Sequence, residues 1–264
     1  MNKINLELFD HFTLSQTTSI SIHSQTDSLG TSIAKNLLSK NANSYDQCFV
    51  CGLNKNLKND YNEILNEKNI FDDENSINKF INTLIGSKYD KFHSLWNSQK
   101  NKIDDFKNNF EKILIVLENM EIFKKMWKHR NFKKLLLNGR VFRISIIYVN
   151  PFSLMMSTIS LWKQNIDNVM ILDFPSKIDK IYDDFILNKV QGIQSLNHFQ
   201  IITNNLTKNK MALVIQKHLQ RRFNIEKSKR VDRVFKCPIF LKNKNEKIYN
   251  NQDFNNTTIE FDHK

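Results

Sequence analysis

The chain has 264 residues, 40% of them hydrophobic, which suffices for one sizeable core or two small ones. With 20 Phe against 5 Gly and 3 Pro, it is neither a disordered chain nor a sandwich of many tight turns. The formal net charge of +12 points either to a polyanion, most simply DNA or RNA, or to a lysine-rich codon bias spread over a solvated surface.

Asn and Lys are abundant throughout, including Asn250-Asn251 and Asn255-Asn256, as AT-rich codons would give. Such a bias suits a parasite, an endosymbiont or a large DNA virus. The one dense basic cluster is Lys217–Arg233, with Arg221, Arg222, Lys227, Lys229 and Arg230. The first ten residues carry Glu7 and Asp10 and lack an apolar segment, so no signal peptide is expected. No apolar run approaches the length of a membrane span, and three cysteines suit a reducing compartment.

In chain order, Ser19–Ser24 alternates Ile with Ser and His and predicts a short strand. Gln25–Thr31 is polar and reads as a loop; Ser32–Lys40 carries Ile33, Ala34, Leu37 and Leu38 at helical spacing. Cys48–Leu53 predicts a second strand. Its Cys48-Phe-Val-Cys51 has redox or zinc spacing without a second pair, so two buried strand thiols are the alternative. Tyr61–Lys68 and Ser76–Ile85 read as helices, and Ser87–Asn109 as a long surface helix. Ile113-Leu-Ile-Val-Leu117 is a fully apolar run that predicts a buried strand ending on the carboxylate of Glu118.

Glu121–Leu137 is amphipathic and basic, and Asn138-Gly139 is a fitting C-cap pair. Val141–Val149 predicts a strand, Pro151–Gln164 a loop or helical crossover, and Val169–Phe174 a further strand. Lys177–Leu196 reads as helix, Thr203–Asn209 as a turn and Met211–Ile215 as a short strand. Strands alternating with helices imply βαβ units: one α/β domain over residues 1–242, with a mostly parallel sheet, helices on both faces, and a polar tail over 243–264.

Open α/β sheets bind ligands at the carboxyl ends of their strands, and in nucleotide-hydrolysing proteins an acid there holds Mg²⁺. A phosphate loop needs Gly-x₄-Gly-Lys-Ser/Thr between a strand and a helix, so that backbone amides wrap the phosphates. The first strand–loop–helix offers Ser24-(Gln-Thr-Asp-Ser)-Leu29-Gly30-Thr31, in which only the last position fits. Leu29 stands for the second Gly, Gly30 for the Lys, and Asp27 adds a carboxylate among phosphate oxygens; the nearest downstream lysine is Lys35.

In this context the chain resembles the DNA-packaging ATPases of large DNA viruses, of the poxvirus and giant-virus type within the FtsK/HerA superfamily. Ile20–Leu38 falls where that family has its Walker A element, and Cys48–Leu53 with Leu65–Asp73 on its second strand and the acidic stretch after it. Ile113–Asn119 falls on the Walker B strand. Leu137-Asn138-Gly139-Arg140 matches the family's Asn-Gly-Arg, which precedes the next core strand, here Arg143–Val149. Asn165-Ile166-Asp167-Asn168-Val169 resembles its Asn-x-Asp-x-Val/Ile. The resemblance implies a three-layer P-loop NTPase-like (RecA/FtsK-like) fold, ATP held over Ser24, Asp27, Ser28, Leu29, Gly30, Thr31 and Ser32, and Mg²⁺ on Thr31 and Glu118.

The departures all fall on chemistry. The Walker A lysine is missing, and the acid pair reads Glu118-Asn119. An amide cannot accept a proton from water, and losing such a base costs roughly 10²–10⁴-fold. The sensor Gln has Asn150 as its nearest counterpart. The arginine finger falls on Lys163, which keeps the charge without the planar fork, and such fingers are worth roughly 10³–10⁵ in rate. Arg140 is retained in a structural or interfacial role. The expectation is a hydrolysis-deficient packaging-ATPase homologue, with ATP and Mg²⁺ binding weak or lost, in the host cytoplasm (viral factory) or virion. Its partners would be double-stranded DNA, through Arg221, Arg222, Lys229 and Arg230, and a homo- or hetero-oligomeric ring with an intact ATPase; no membrane is expected. An active ATP-dependent motor and a basic DNA-binding or scaffold protein without a nucleotide site are the alternatives.

Overall fold

In the computed structural model the described residues are 7–8, 18–24, 26–98, 109–118, 125–150, 165–172, 178–187, 193, 195–208, 211–216 and 233–238. They divide into two compact units: residues 12–22 with 34–166, and residues 1–11 and 23–33 with 167–264. The predicted segments 151–164, 217–232 and 243–264 lie outside the described residues.

The larger unit is organised by β5 (Ile113–Glu118), in which all six residues are buried. A strand apolar on both faces is stable only when paired and covered on both sides, which is the parallel-sheet environment. β5 lies between β3 (Gln47–Gly52) and β6 (Ile144–Val149), parallel to both, with β2 (Ser19–His23) parallel to β6 and β4 (Ile70–Phe71) parallel to β3. The strand order here is β2-β6-β5-β3-β4. The register sets Ile22 and Glu118 both opposite Val149, and Gly52 opposite Glu118. One row across the carboxyl ends therefore reads Ile22, Val149, Glu118, Gly52.

Helices α1 (Asp27–Asn41), α2 (Leu57–Tyr61), α3 (Glu74–Ser98) and α4 (Arg130–Asn138) alternate with these strands. α3 buries Ile77, Ile81 and Ile85, spaced four apart on one stripe. The predicted surface helix over Ser87–Asn109 is the second half of this same helix as far as Ser98.

In the smaller unit, β8 (Met211–Gln216) runs antiparallel to both β7 (Asn168–Ile171) and β9 (Arg233–Pro238), and β1 (Glu7–Leu8) is parallel to β9. Within this unit the Leu172 amide donates to the carbonyl of His23 at 2.9 Å. α5 (Ile178–Ile181) runs directly into a π-helical turn, Tyr182–Ile186, and α6 (Leu196–Lys208) precedes β8.

Several local expectations are corrected. α1 begins at Asp27, not Ser32: the Ser24 hydroxyl donates to the Thr26 carbonyl at 2.6 Å and turns the chain at once into the helix. The predicted helix over Tyr61–Lys68 ends at Tyr61, because the Asn66 side chain accepts from the Lys68 amide and closes a separate 3₁₀ turn. Gly139 does not stop its helix with a left-handed cap. Its φ is −51°, the chain continues as a 3₁₀ turn over Gly139–Phe142, and the left-handed residue is Arg143 at φ 59°. The predicted turn over Thr203–Asn209 is helical as far as Lys208, since Phe199, Ile202 and Leu206 bury one face of α6. β9 carries no alternating pattern strong enough to announce it.

Gly52 is required by close approach. A Cβ there would lie 2.7 Å from the Cβ of Glu118, with both Leu57 δ-carbons within 3.3 Å. Gly52→Ala is expected to lower stability by about 1–3 kcal/mol, as overpacking of a closed core does. Urea denaturation monitored by circular dichroism measures it.

Candidate nucleotide site

In the larger unit the sheet row ends in two elements that could meet a ligand, the carboxylate at the end of β5 and the residue after β6; the turn after β2 belongs to the smaller unit and is described by itself. Each is set by its local sequence.

The turn from β2 to α1 comprises only Ser24–Thr26. The Gly30 amide reaches back to the Thr26 carbonyl at 3.4 Å, and the Ser32 hydroxyl donates to the Ser28 carbonyl at 2.8 Å. Ser28, Leu29, Gly30, Thr31 and Ser32, expected along a phosphate loop, are thus residues of the first turns of α1, as is the backbone of Asp27. The Gly30 amide is engaged by Thr26, while the first amides of a helix in general have no carbonyl within the helix to meet. His23, the last residue of β2, is buried, and burial holds its imidazole at about 3, far below the usual value.

Glu118 is placed as the sequence predicts, on the last residue of β5, and it is buried. Its Oε1 accepts a short hydrogen bond from the hydroxyl of Tyr61, the fully buried last residue of α2. Burial first, then the charge of Glu118 and the hydrogen bond itself, raise the phenol well above its ordinary pKa, so Tyr61 is always the donor. The Nζ of Lys35, from the third turn of α1, stands 6.0 Å from the centroid of the Tyr61 ring. Tyr61 was not anticipated. Its only sequence signal is the Leu57/Tyr61 spacing of four, and nothing local ties it to a carboxylate 57 positions on.

Asn150 follows β6 in the left-handed region at φ 46°, a conformation Asn tolerates, and its amide donates to the Ile22 carbonyl at 2.9 Å. That puts it one step beyond the row holding Ile22 and Glu118. Asn119, Lys163, Arg221, Arg222, Lys229 and Arg230 lie outside the described residues. Arg140 donates from its guanidinium to the Asn165 carbonyl at 3.0 Å, so the Asn-Gly-Arg and Asn-Ile-Asp segments are in contact. Asn138 donates to the Tyr89 hydroxyl at 3.0 Å.

Cys48 and Cys51 are both buried and free. Three residues apart on one strand, they point to opposite faces of β3 and cannot chelate one ion or close a disulfide. Burial pushes the Cys48 thiol up to about 11 and Cys51 higher still, which makes both inert. The described residues contain no group of three His, Cys, Asp or Glu that could hold a metal ion.

The parallel strands, their helices and the buried acid at a strand end define a three-layer α/β protein of the P-loop NTPase-like class. Among solved structures the chain is similar to the pCW3 conjugation coupling protein TcpA, in its monomer form with ATPγS. The TM-score is 0.56 at 10% identity, over 87% of this chain and 62% of that one. The likeness carries the fold, and the chain spans less than two thirds of that protein. No family model and no curated protein sequence matches.

ATP with Mg²⁺ does not fit the residues in the way an intact phosphate loop holds it. No lysine falls within Ser24–Ser32, and Glu118, the acid that ends β5, is engaged by Tyr61. Two measurements probe this arrangement. Tyr61→Phe withdraws the donor from a buried carboxylate and is expected to cost about 1–3 kcal/mol in urea denaturation. For His23, the unfolded side chain takes up a proton near pH 6.5 while the folded one stays neutral down to about 3. The unfolded state therefore binds more protons in that window, and stability falls as pH drops, by about 1.4 kcal/mol per unit. Between pH 6.5 and 5, His23→Gln should flatten the stability curve by about 2 kcal/mol relative to the parent protein.

Proposed function

We propose that this chain is a diverged, hydrolysis-deficient relative of the DNA-packaging ATPases of large DNA viruses. It serves genome packaging or virion assembly on double-stranded DNA or alongside an active paralogue in a ring. The observation that carries the reading is the hydrogen bond from buried Tyr61 to Glu118. A carboxylate meant for a hydrated Mg²⁺ faces an open, wet edge, whereas this one is buried and bonded to a phenol that does not ionise. The sequence agrees: Asn119 stands where a base is needed, Lys163 where a finger is expected, and the lysine of the phosphate loop is missing. Loss of both base and finger removes the two groups worth most in rate.

A fold neighbour solved with ATPγS favours some retained nucleotide affinity, so binding and turnover are tested apart. Thermal melts with and without millimolar Mg-ATP report binding through any upward shift. Phosphate release should stay at the blank for the parent protein. Turnover that is abolished in Glu118→Gln would overturn the reading in favour of an active motor.

DNA binding is expected through Arg221, Arg222, Lys229 and Arg230, with a steep dependence on salt. Alanine at Arg221, Arg222 and Arg230 together should reduce the log–log salt slope by up to about 2.7, at 0.9 per phosphate contact. Absence of duplex binding at low salt would return the +12 charge to codon bias.

A further inference from the structure

The basic helix α4 and the aromatic half of α3 are used by neither the nucleotide site nor the duplex-binding cluster. α4 runs alongside α3 in the same direction. Lys128 Nζ lies 2.8 Å from Glu74, Asn131 donates to Asn82 at 2.9 Å, and Asn138 donates to Tyr89 at 3.0 Å. Residues 125–134 hold Lys125, Lys128, Arg130, Lys133 and Lys134 and no acid. Lys125, Lys128 and Arg130 are exposed. Arg130, Lys133 and Lys134 lie on α4 itself, and Lys125 and Lys128 just before it.

Aromatic rings are interleaved with these cations. Lys134 Nζ sits 4.3 Å from the Tyr89 ring centroid, and Lys133 Nζ sits 5.5 Å from that of Trp127. Farther along α3, Trp96 stacks on Phe92 at 6.0 Å with 22° between planes. Phe92 and Tyr89 both lean on Phe142. Trp96 is nonetheless 43% exposed, and Val141, next to Phe142, is 48% exposed. Lys91 is exposed and lies 5.7 Å from the Phe110 ring, which also packs on Phe142. The acids on α3 are Glu74, already paired with Lys128, and Asp90.

From this alternation we infer that the α3–α4 face is a binding surface for single-stranded nucleic acid. The lysines and Arg130 neutralise backbone phosphates, and the exposed indole of Trp96 offers a plane to an unpaired base. Cations tracking a backbone with rings between them are what an unpaired strand needs. A duplex keeps its bases stacked inside and presents phosphates only, so it gains nothing from Trp96. The proposal goes beyond the ATPase-like reading and stands on different residues.

The test uses the full chain and fluorescein-labelled oligothymidylate of about 15 nucleotides, with a duplex of the same length, by fluorescence anisotropy. Trp96→Ala, at an exposed position, should weaken single-strand binding about fivefold or more and leave duplex binding unchanged. Arg130→Glu with Lys134→Glu should weaken it at least tenfold and flatten its salt dependence. Unlabelled oligothymidylate should quench the indole fluorescence of the parent protein, a readout that needs no variant. Alanine at Arg221, Arg222 and Arg230 should leave the dependence on Trp96 intact, which keeps this surface separable from the duplex reading. The proposal is overturned if folded Trp96→Ala binds as the parent does, or if the indole is not quenched. It is also overturned if vesicles of phosphatidylcholine and phosphatidylserine are bound in preference to the oligonucleotide.

Discussion

A buried carboxylate at the end of a buried strand is the constraint around which the larger unit is arranged. β5 has no polar face, so it must be flanked and covered, and its last residue then carries an acid into the interior. An acid in that position must be hydrogen-bonded to be tolerated. α2 is positioned to meet this need: it delivers Tyr61 to Oε1 of Glu118 and packs Leu57 beside Gly52. Gly52 leaves room for the Glu118 side chain on the neighbouring strand, and the Nζ of Lys35 stands over the Tyr61 ring. Strand, helix and glycine answer to one carboxylate.

That arrangement is one of packing and hydrogen bonding within the unit. The groups that hold Glu118 are packing groups, and they stabilise the unit whether or not a nucleotide is present. The turn after β2, by contrast, holds no glycine, and α1 begins at Asp27.

The sequence made the strands of the larger unit legible because each is an uninterrupted apolar run with punctuation on both sides. β5 and β6 needed only periodicity and length, with Glu118 ending the first and Asn150 following the second. What failed was decided by side chains acting locally or far away. The early start of α1 rests on one hydroxyl, that of Ser24, and the early stop of α2 on the amide side chain of Asn66. The left-handed turn came at Arg143 and not at Gly139, because Phe142 must first reach Tyr89 and Phe110. Tyr61 was out of reach for a different reason: its partner is 57 residues away, and no local pattern encodes a contact of that separation. The antiparallel strand β8 looked like any other apolar run, since direction is set by connections and not by composition.

The division of the chain carries a consequence for how this protein could have arisen. The larger unit takes residues 12–22 and 34–166, and the smaller takes the segments before, between and after them. The backbone therefore passes from one unit to the other four times, once near the middle of the β2–α1 element itself. A single recombination breakpoint cannot lift either unit out whole, and a gene truncated after residue 166 would leave residues 1–11 and 23–33 of the smaller unit behind, β1 among them. Neither unit is one contiguous stretch of chain, so neither could be transferred by a single exchange of gene segments.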